Sequence, residues 1–225
     1  MKINVNYIDN ELIVEDNKIL NIEIYNKKFF YRFIKDLNLI ENGNTIEEIT
    51  AFNKQNEEIT LTNKIEILSD FLDFDLYNKK YSSDFQKYIV KNSEEKNIDK
   101  IVKEYSKVYD SISNIVNLID IPITIKNDFD FESIIKSFKF EVNFFDNLLN
   151  NLIDLLEVKL NLSKEKIYVF INLKSYLSNE DLLELYKYIF VKNINSIFID
   201  TNKYDDLNDN VNKIIIDTDL DEFVI

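Results

Sequence analysis

The sequence predicts an α/β protein: a parallel sheet covered by helices on both faces, built from the two ends of the chain and interrupted by a helical insertion. Three observations predict it. Beyond residue 140, all-apolar runs such as Ile167 to Ile171 and Ile197 to Ile199 alternate with stretches of helical spacing, as strands buried on both faces of a parallel sheet do. The first 60 residues are dense in short alternating strands. The stretch from about 84 to 120 repeats its apolar residues only at helical spacing. Both termini are therefore expected to build one head domain, residues 1–61 with 139–225, around an inserted helical leg over 62–138.

Taken in order, Ile3, Val5 and Tyr7, then Leu12 to Val14, then Ile19 to Ile24 read as a meander or hairpin pair with turns at Asp9-Asn10 and Asp16-Asn17. Phe29, Phe30, Phe33, Ile34 and Leu37 fall at helical spacing, and Glu41-Asn42-Gly43-Asn44 ends that helix. Ile46 to Phe52 and Glu57 to Thr60 predict a second strand pair around a loop at Asn53 to Asn56. From Thr62, a plausible cap, Ile65, Ile67, Leu68, Phe71 and Leu72 read as a helix. Asp84 to Asp120 predicts one very long helix or two in line broken near Asn92-Ser93; about 25 residues would span about 38 Å, more than a small domain needs. Such an element projects as an arm. Pro122, the only proline, ends it, and Asp128 to Phe138 restarts a short helix. There follow a strand at Phe140 to Asn143, a helix over Leu148 to Leu160, the strand Ile167 to Ile171, a helix at Asn179 to Tyr188, and strands at Ile197 to Ile199 and Ile214 to Ile216.

Composition bounds the chemistry. With 225 residues, 45% of them apolar, the chain can bury a sizeable core. It has no histidine, no cysteine and one glycine, Gly43. Zinc sites, Ser-His-Asp triads, thiol nucleophiles and phosphate-cradling glycine loops are all excluded by missing atoms. These absences speak against an enzyme. No run approaches a membrane span and the start reads as a strand, so a cytoplasmic protein is expected, which the zero cysteine count fits. A net charge of -14 argues against patternless adhesion to nucleic acid. Any nucleic acid must meet a lysine-rich local face.

Two such faces exist. Lys28, Arg32 and Lys35 share one side of the first helix, opposite its phenylalanines, and no acid stands between Ile24 and Lys35. Lys96, Lys100, Lys103 and Lys107 lie nearly in line along the predicted arm, a row that could track a phosphate backbone or serve solubility. Acids cluster at the arm's return: Asp120, Asp128, Asp130 and Glu132 could converge on a hard cation such as calcium, or Asp128 or Asp130 could simply cap a helix with Glu132 in its first turn. Asp200 and Asn172 end apolar strands, where α/β sheets bind ligands, but no glycine loop is present to hold a nucleotide's phosphates.

Several stretches, in order, are similar to the ring-forming spacer-acquisition family of type II-A CRISPR systems, the CRISPR-associated Csn protein, member two. They are Ile65 to Asp75, Ile134 to Phe138 with Glu141-Val142, Lys164 to Asn172 continuing to Tyr176-Leu177-Ser178, Ile197 to Asp200, and Asp219 to Ile225. The resemblance implies a head like a P-loop ATPase core without its phosphate loop and a helical leg inserted into it. It also implies a homotetrameric ring threaded by ends of double-stranded DNA, stabilisation by calcium, and partnership with the adaptation integrase and the effector nuclease. Members of the family are regarded as non-enzymatic. An acidic outside with a lysine-lined hole would reconcile DNA binding with the net charge. Lys136 and Lys139, in and beside Ile134-Ile-Lys-Ser-Phe138, align best with a DNA-contacting role. The chain departs from the pattern at Asp73, where a glycine is expected, and at Thr124 and Asn127, near acids of some relatives. Two other readings stand beside it: a carboxylate-metal nuclease or phosphohydrolase using Asp128, Asp130 and Glu132, or Asp200, and a protein-binding scaffold whose arm mediates assembly.

Overall fold

The computed structural model describes residues 1–71, 79–138, 140, 147–163, 166–204 and 210–225, without the side chains of 79–82. Asp73, Lys139 and the expected strand residues 141–143 lie outside them. The chain divides into two compact units, Met1–Phe74 with Phe144–Ile225, and Asp75–Asn143.

The first unit runs β1 (Lys2–Val5), β2 (Leu12–Ile13), β3 (Ile19–Ile24), α1 (Lys27–Glu41), β4 (Ile49–Phe52), β5 (Glu58–Ile59) and β6 (Ile65–Leu68). The second contributes α2 (Lys79–Lys91), α3 (Glu95–Val116) and α4 (Phe131–Ser137). The first then resumes with α5 (Leu148–Leu162), β7 (Ile167–Ile171), a 3-10 turn at Leu173–Ser175, α6 (Asn179–Lys192), β8 (Asn195–Asp200), β9 (Val211–Ile216) and β10 (Glu222–Val224).

Two sheets result. Strands β2-β1-β4-β5 form a small antiparallel sheet. Strands β10-β9-β3-β8-β7-β6 form a larger one in which all but β10 run parallel. Alternation sorts the side chains of the larger sheet into two layers. Leu20, Ile22, Ile65, Ile67, Val169, Ile197 and Ile214 join the small sheet and Phe33, Leu37 and Ile40 of α1 in one apolar core. On the opposite face, Phe170 stacks on Phe198 at 4.8 Å, and Tyr186 of α6 meets Phe198 edge-on at 5.3 Å.

Two expectations are overturned here. Ile19 to Ile24 does not complete a meander with the first two strands; β3 sits in the middle of the other sheet, paired in parallel with β8 and β9. Its six residues are all buried, which one wet face of a hairpin would not allow. Nor is Ile65 to Leu68 helical. Its register with Ile167 to Phe170 makes it the edge strand β6, and its two β-branched isoleucines suit a strand buried on both faces. The exposed edge of β6 is blunted by Glu41, whose carboxylate accepts the Ile67 amide at 3.1 Å.

The sequence predicts Ile214 to Ile216 as the last strand, but the structure has one more. Beyond Ile216 the chain turns back as β10, and Glu222 accepts the amides of Asp9 and Asn10 at 2.7 and 2.9 Å, tying the end of the chain to the β1–β2 turn.

In the second unit α2 and α3 are separate helices broken at Asn92-Ser93-Glu94, the second of the two alternatives the periodicity left open. The 22 residues of α3 span about 33 Å. One flank of α3 is braced by the returning chain: the Tyr109 hydroxyl donates to the Ile125 carbonyl at 3.2 Å, and the Tyr105 ring meets Phe129 at 5.2 Å. No residue of α3 is fully buried. Among the described residues, no helix is long and apolar enough to cross a membrane.

Candidate nucleic-acid interface

Lysines make the interface candidates. The apolar residues of α3 share one side, so Lys96, Lys100, Lys103 and Lys107 share the other and are all exposed. Lys107 pairs with Glu104 at 2.7 Å. The remaining three have no acid partner among the described residues, which leaves three unpaired ammonium groups in a row along the helix axis. Opposite and beyond them, the apolar side of α3 emerges from the fold. Val108, Ile112, Ile115 and Ile119 are exposed, and Leu118 keeps 86% of its surface in water.

The α1 face is more divided than its sequence suggests. Lys28 and Lys35 are exposed and unpaired among the described residues, as is Lys27. Arg32 is exposed as well but engaged: its guanidinium lies over the Tyr7 ring, 3.9 Å from the centroid, and reaches Asp36 at 4.0 Å. Asp36 in turn accepts the Tyr7 hydroxyl at 2.6 Å. Arg32 thus braces α1 against the β1–β2 turn. Burial, and then the hydrogen bond to Asp36, raises the Tyr7 hydroxyl well above the ordinary tyrosine range.

The acids at the return do not form a common centre. Asp130 caps α4 by accepting the Glu132 amide at 3.1 Å and also accepts the Ser133 hydroxyl, which holds its carboxyl below the usual range. Glu132 binds Lys136 at 2.6 Å, one turn along the same helix. Asp120 and Asp128 are exposed. Among the described residues no group of three or more acids is placed to hold a metal ion, so the four do not fit a calcium site within one chain. Lys136 is exposed but shares its charge with Glu132.

The carboxyl ends of the parallel strands hold a cluster the sequence reading anticipated only at Asp200 and Asn172. Glu23 of β3, fully buried, is bound by Lys213 of β9 at 2.9 Å and by the Tyr204 amide at 3.0 Å, and it accepts the Tyr25 hydroxyl at 2.7 Å. Asp200 lies 3.5 Å from Lys174, whose ammonium also rests 5.3 Å from the Tyr204 ring centroid. Asn172, with left-handed backbone, accepts the Thr201 amide at 3.0 Å. At the adjoining start of α1, the Asn26 side chain accepts the Lys28 and Phe29 amides, both at 3.1 Å. The amides an anion would need are already satisfied. Among the described residues, Lys213 pairs with Glu23 and Lys174 is the cation beside Asp200.

Burial pushes the Asp200 carboxyl up to about 6, although Lys174 pulls the other way. Burial likewise lowers Lys174, against the pull of Asp200 and Glu23. The folded state therefore holds the Asp200 proton more tightly than the unfolded chain does, and stability contributed by this group falls as pH rises from about 4 to about 6. Asp200→Asn should remove a pH-dependent component on the order of 3 kcal/mol over that window. Urea midpoints of the native protein and the variant across pH 4 to 7 would read it, and parallel curves would contradict it.

A family model for the CRISPR-associated protein Cas_Csn2 matches residues 43–220, and no curated protein matches the chain.

Proposed function

Since the chain belongs to the family of CRISPR-associated Cas_Csn2 proteins, we propose that it is a non-catalytic clamp on ends of double-stranded DNA, acting as a homotetrameric ring in spacer acquisition. The observation that carries this reading is the row Lys96, Lys100 and Lys103, exposed and unpaired among the described residues along a helix of about 33 Å. Such a row contacts phosphates irrespective of sequence. The exposed apolar side of α3 and its return supports self-association, since an uncovered row from Val108 to Leu118 invites burial against another copy. The adaptation integrase and the effector nuclease are the proposed protein partners.

A metal-dependent hydrolase is the weaker reading. Asp200 is buried against Lys174, Asp130 and Glu132 are engaged within α4, and among the described residues no group of three acids or more is placed to hold a metal ion. Retention of linear but not closed-circular duplex DNA, by a species of tetrameric native mass at low salt, is the expected result. Equal retention of both, or of neither, would overturn the ring-clamp reading.

A further inference from the structure

A closed ring already admits linear DNA and excludes closed circles, but phosphates, which repeat along the whole molecule, carry no information about the terminal nucleotide itself. What an end offers alone is an unpaired base with an uncovered face. One place in the first unit suits that chemistry. Tyr31 lies on the outer face of α1 with 69% of its surface exposed, whereas its neighbours Phe29, Phe30 and Phe33 all turn toward the core. On the helix surface its nearest neighbours at i−4, i−3 and i+4 are Lys27, Lys28 and Lys35. All three are exposed, and none is paired with an acid among the described residues.

The arrangement is uneconomical for a solvated helix. A first turn ordinarily favours acids, and α1 has none there but two lysines. Asp36, one turn along from Arg32, is engaged by Tyr7 and Arg32. Among the described residues no cation covers the Tyr31 ring, so its face is open to a planar partner. An aromatic face ringed by cations is how proteins hold unpaired nucleotides, stacking the base and tracking its phosphates.

We propose that the outer face of α1 is a binding site for unpaired terminal nucleotides of DNA: the base stacks on Tyr31, and the adjoining phosphates lie against Lys27, Lys28 and Lys35. This deepens the end-clamping reading and rests on it for the choice of DNA. The stacking platform itself stands on the geometry of α1.

The test compares duplexes of roughly 20 base pairs, blunt or carrying a single-stranded overhang of about four thymidines, under the same low-salt conditions. The native protein should hold the overhang duplex roughly tenfold tighter than the blunt one, the scale of one stacked base. Tyr31→Ala should abolish that preference without changing affinity for the blunt duplex, and Tyr31→Phe, which keeps the ring, should restore it. Lys28→Gln with Lys35→Gln should weaken the overhang duplex more than the blunt one. Absence of a preference in the native protein, or its persistence in Tyr31→Ala, would overturn the proposal. The two readings fail separately. Closed circles bound as well as linear DNA would sink the ring clamp while leaving a Tyr31-dependent overhang preference intact, and end-dependent binding without that preference would sink only the Tyr31 site.

Discussion

Replacing Lys96, Lys100, Lys103 and Lys107 together by Gln should cost at least about a hundredfold in affinity for linear duplex DNA at moderate salt, with no loss of fold. Each lysine that releases a counterion from the duplex contributes close to one unit to the slope of log affinity against log salt. Four lost contacts should therefore flatten that slope by about 3 to 4. In the native protein, raising salt from about 50 to 200 mM should lower affinity on the order of a thousandfold if as few as six phosphates are held. All four side chains are exposed and no residue of α3 is fully buried, so the substitutions remove charge and leave the core alone. Lys107→Gln by itself should matter least, because Glu104 already partners it at 2.7 Å. Unchanged affinity in the fourfold variant, measured by fluorescence anisotropy across a salt series, would assign the stripe to solubility.

The largest loss of stability is expected from Lys213→Met. Lys213 is 3% exposed and Glu23 is fully buried, so removing the ammonium strands a carboxylate in the interior. Breaking a buried pair from one side costs about 3 to 5 kcal/mol. The ammonium also donates to the Tyr204 carbonyl at 2.8 Å, and that bond goes with it. Glu23→Gln combined with Lys213→Met should recover a large part of the loss, since no isolated charge remains to be desolvated. Urea unfolding of the three variants would decide; a single Lys213→Met substitution costing under about 1 kcal/mol would show that the pair is solvated after all. A comparable pair stands elsewhere in the same sheet. Glu66 meets Lys159 at 2.5 Å and Lys166 at 3.0 Å. Burial alone would raise its carboxyl, but the two lysines more than offset this and hold it below the ordinary range.

Much of the architecture was legible because the sheet's strands carry all-apolar runs at Ile167 to Ile171, Ile197 to Ile199 and Ile214 to Ile216, separated by stretches of helical spacing. For α2 and α3 the periodicity left one long helix and two helices broken near Asn92-Ser93 as alternatives, and the structure has the break. The misread element, β6, is four residues long, and a short apolar stretch cannot be told from a helical turn by spacing alone. Only its pairing with β7, about a hundred residues away, decides the matter. For the candidate site, sequence placed the lysine faces but not their availability. Arg32 looks equivalent to Lys28 and Lys35 in the sequence, but unlike them it stacks on Tyr7, a contact between residues on different elements. The buried cluster left a faint trace: Glu23 inside Ile-Glu-Ile and Lys213 before Ile-Ile-Ile are charges within apolar strands, and such charges need partners.

The position of β3 has a consequence for the birth of the molecule. Its two neighbours in the sheet are β8 and β9, so Ile22 finds Ile199 and Ile214 only after nearly the whole chain has left the ribosome. Until then a strand whose six residues all end up buried has two bare edges, while α2, α3 and α4 are built from contacts close in sequence and can form early. The order of synthesis thus lets the leg mature first and makes the head wait for its last quarter. Chains released before β8 would carry β3 with neither edge satisfied, the state most prone to pair with another chain instead of its own.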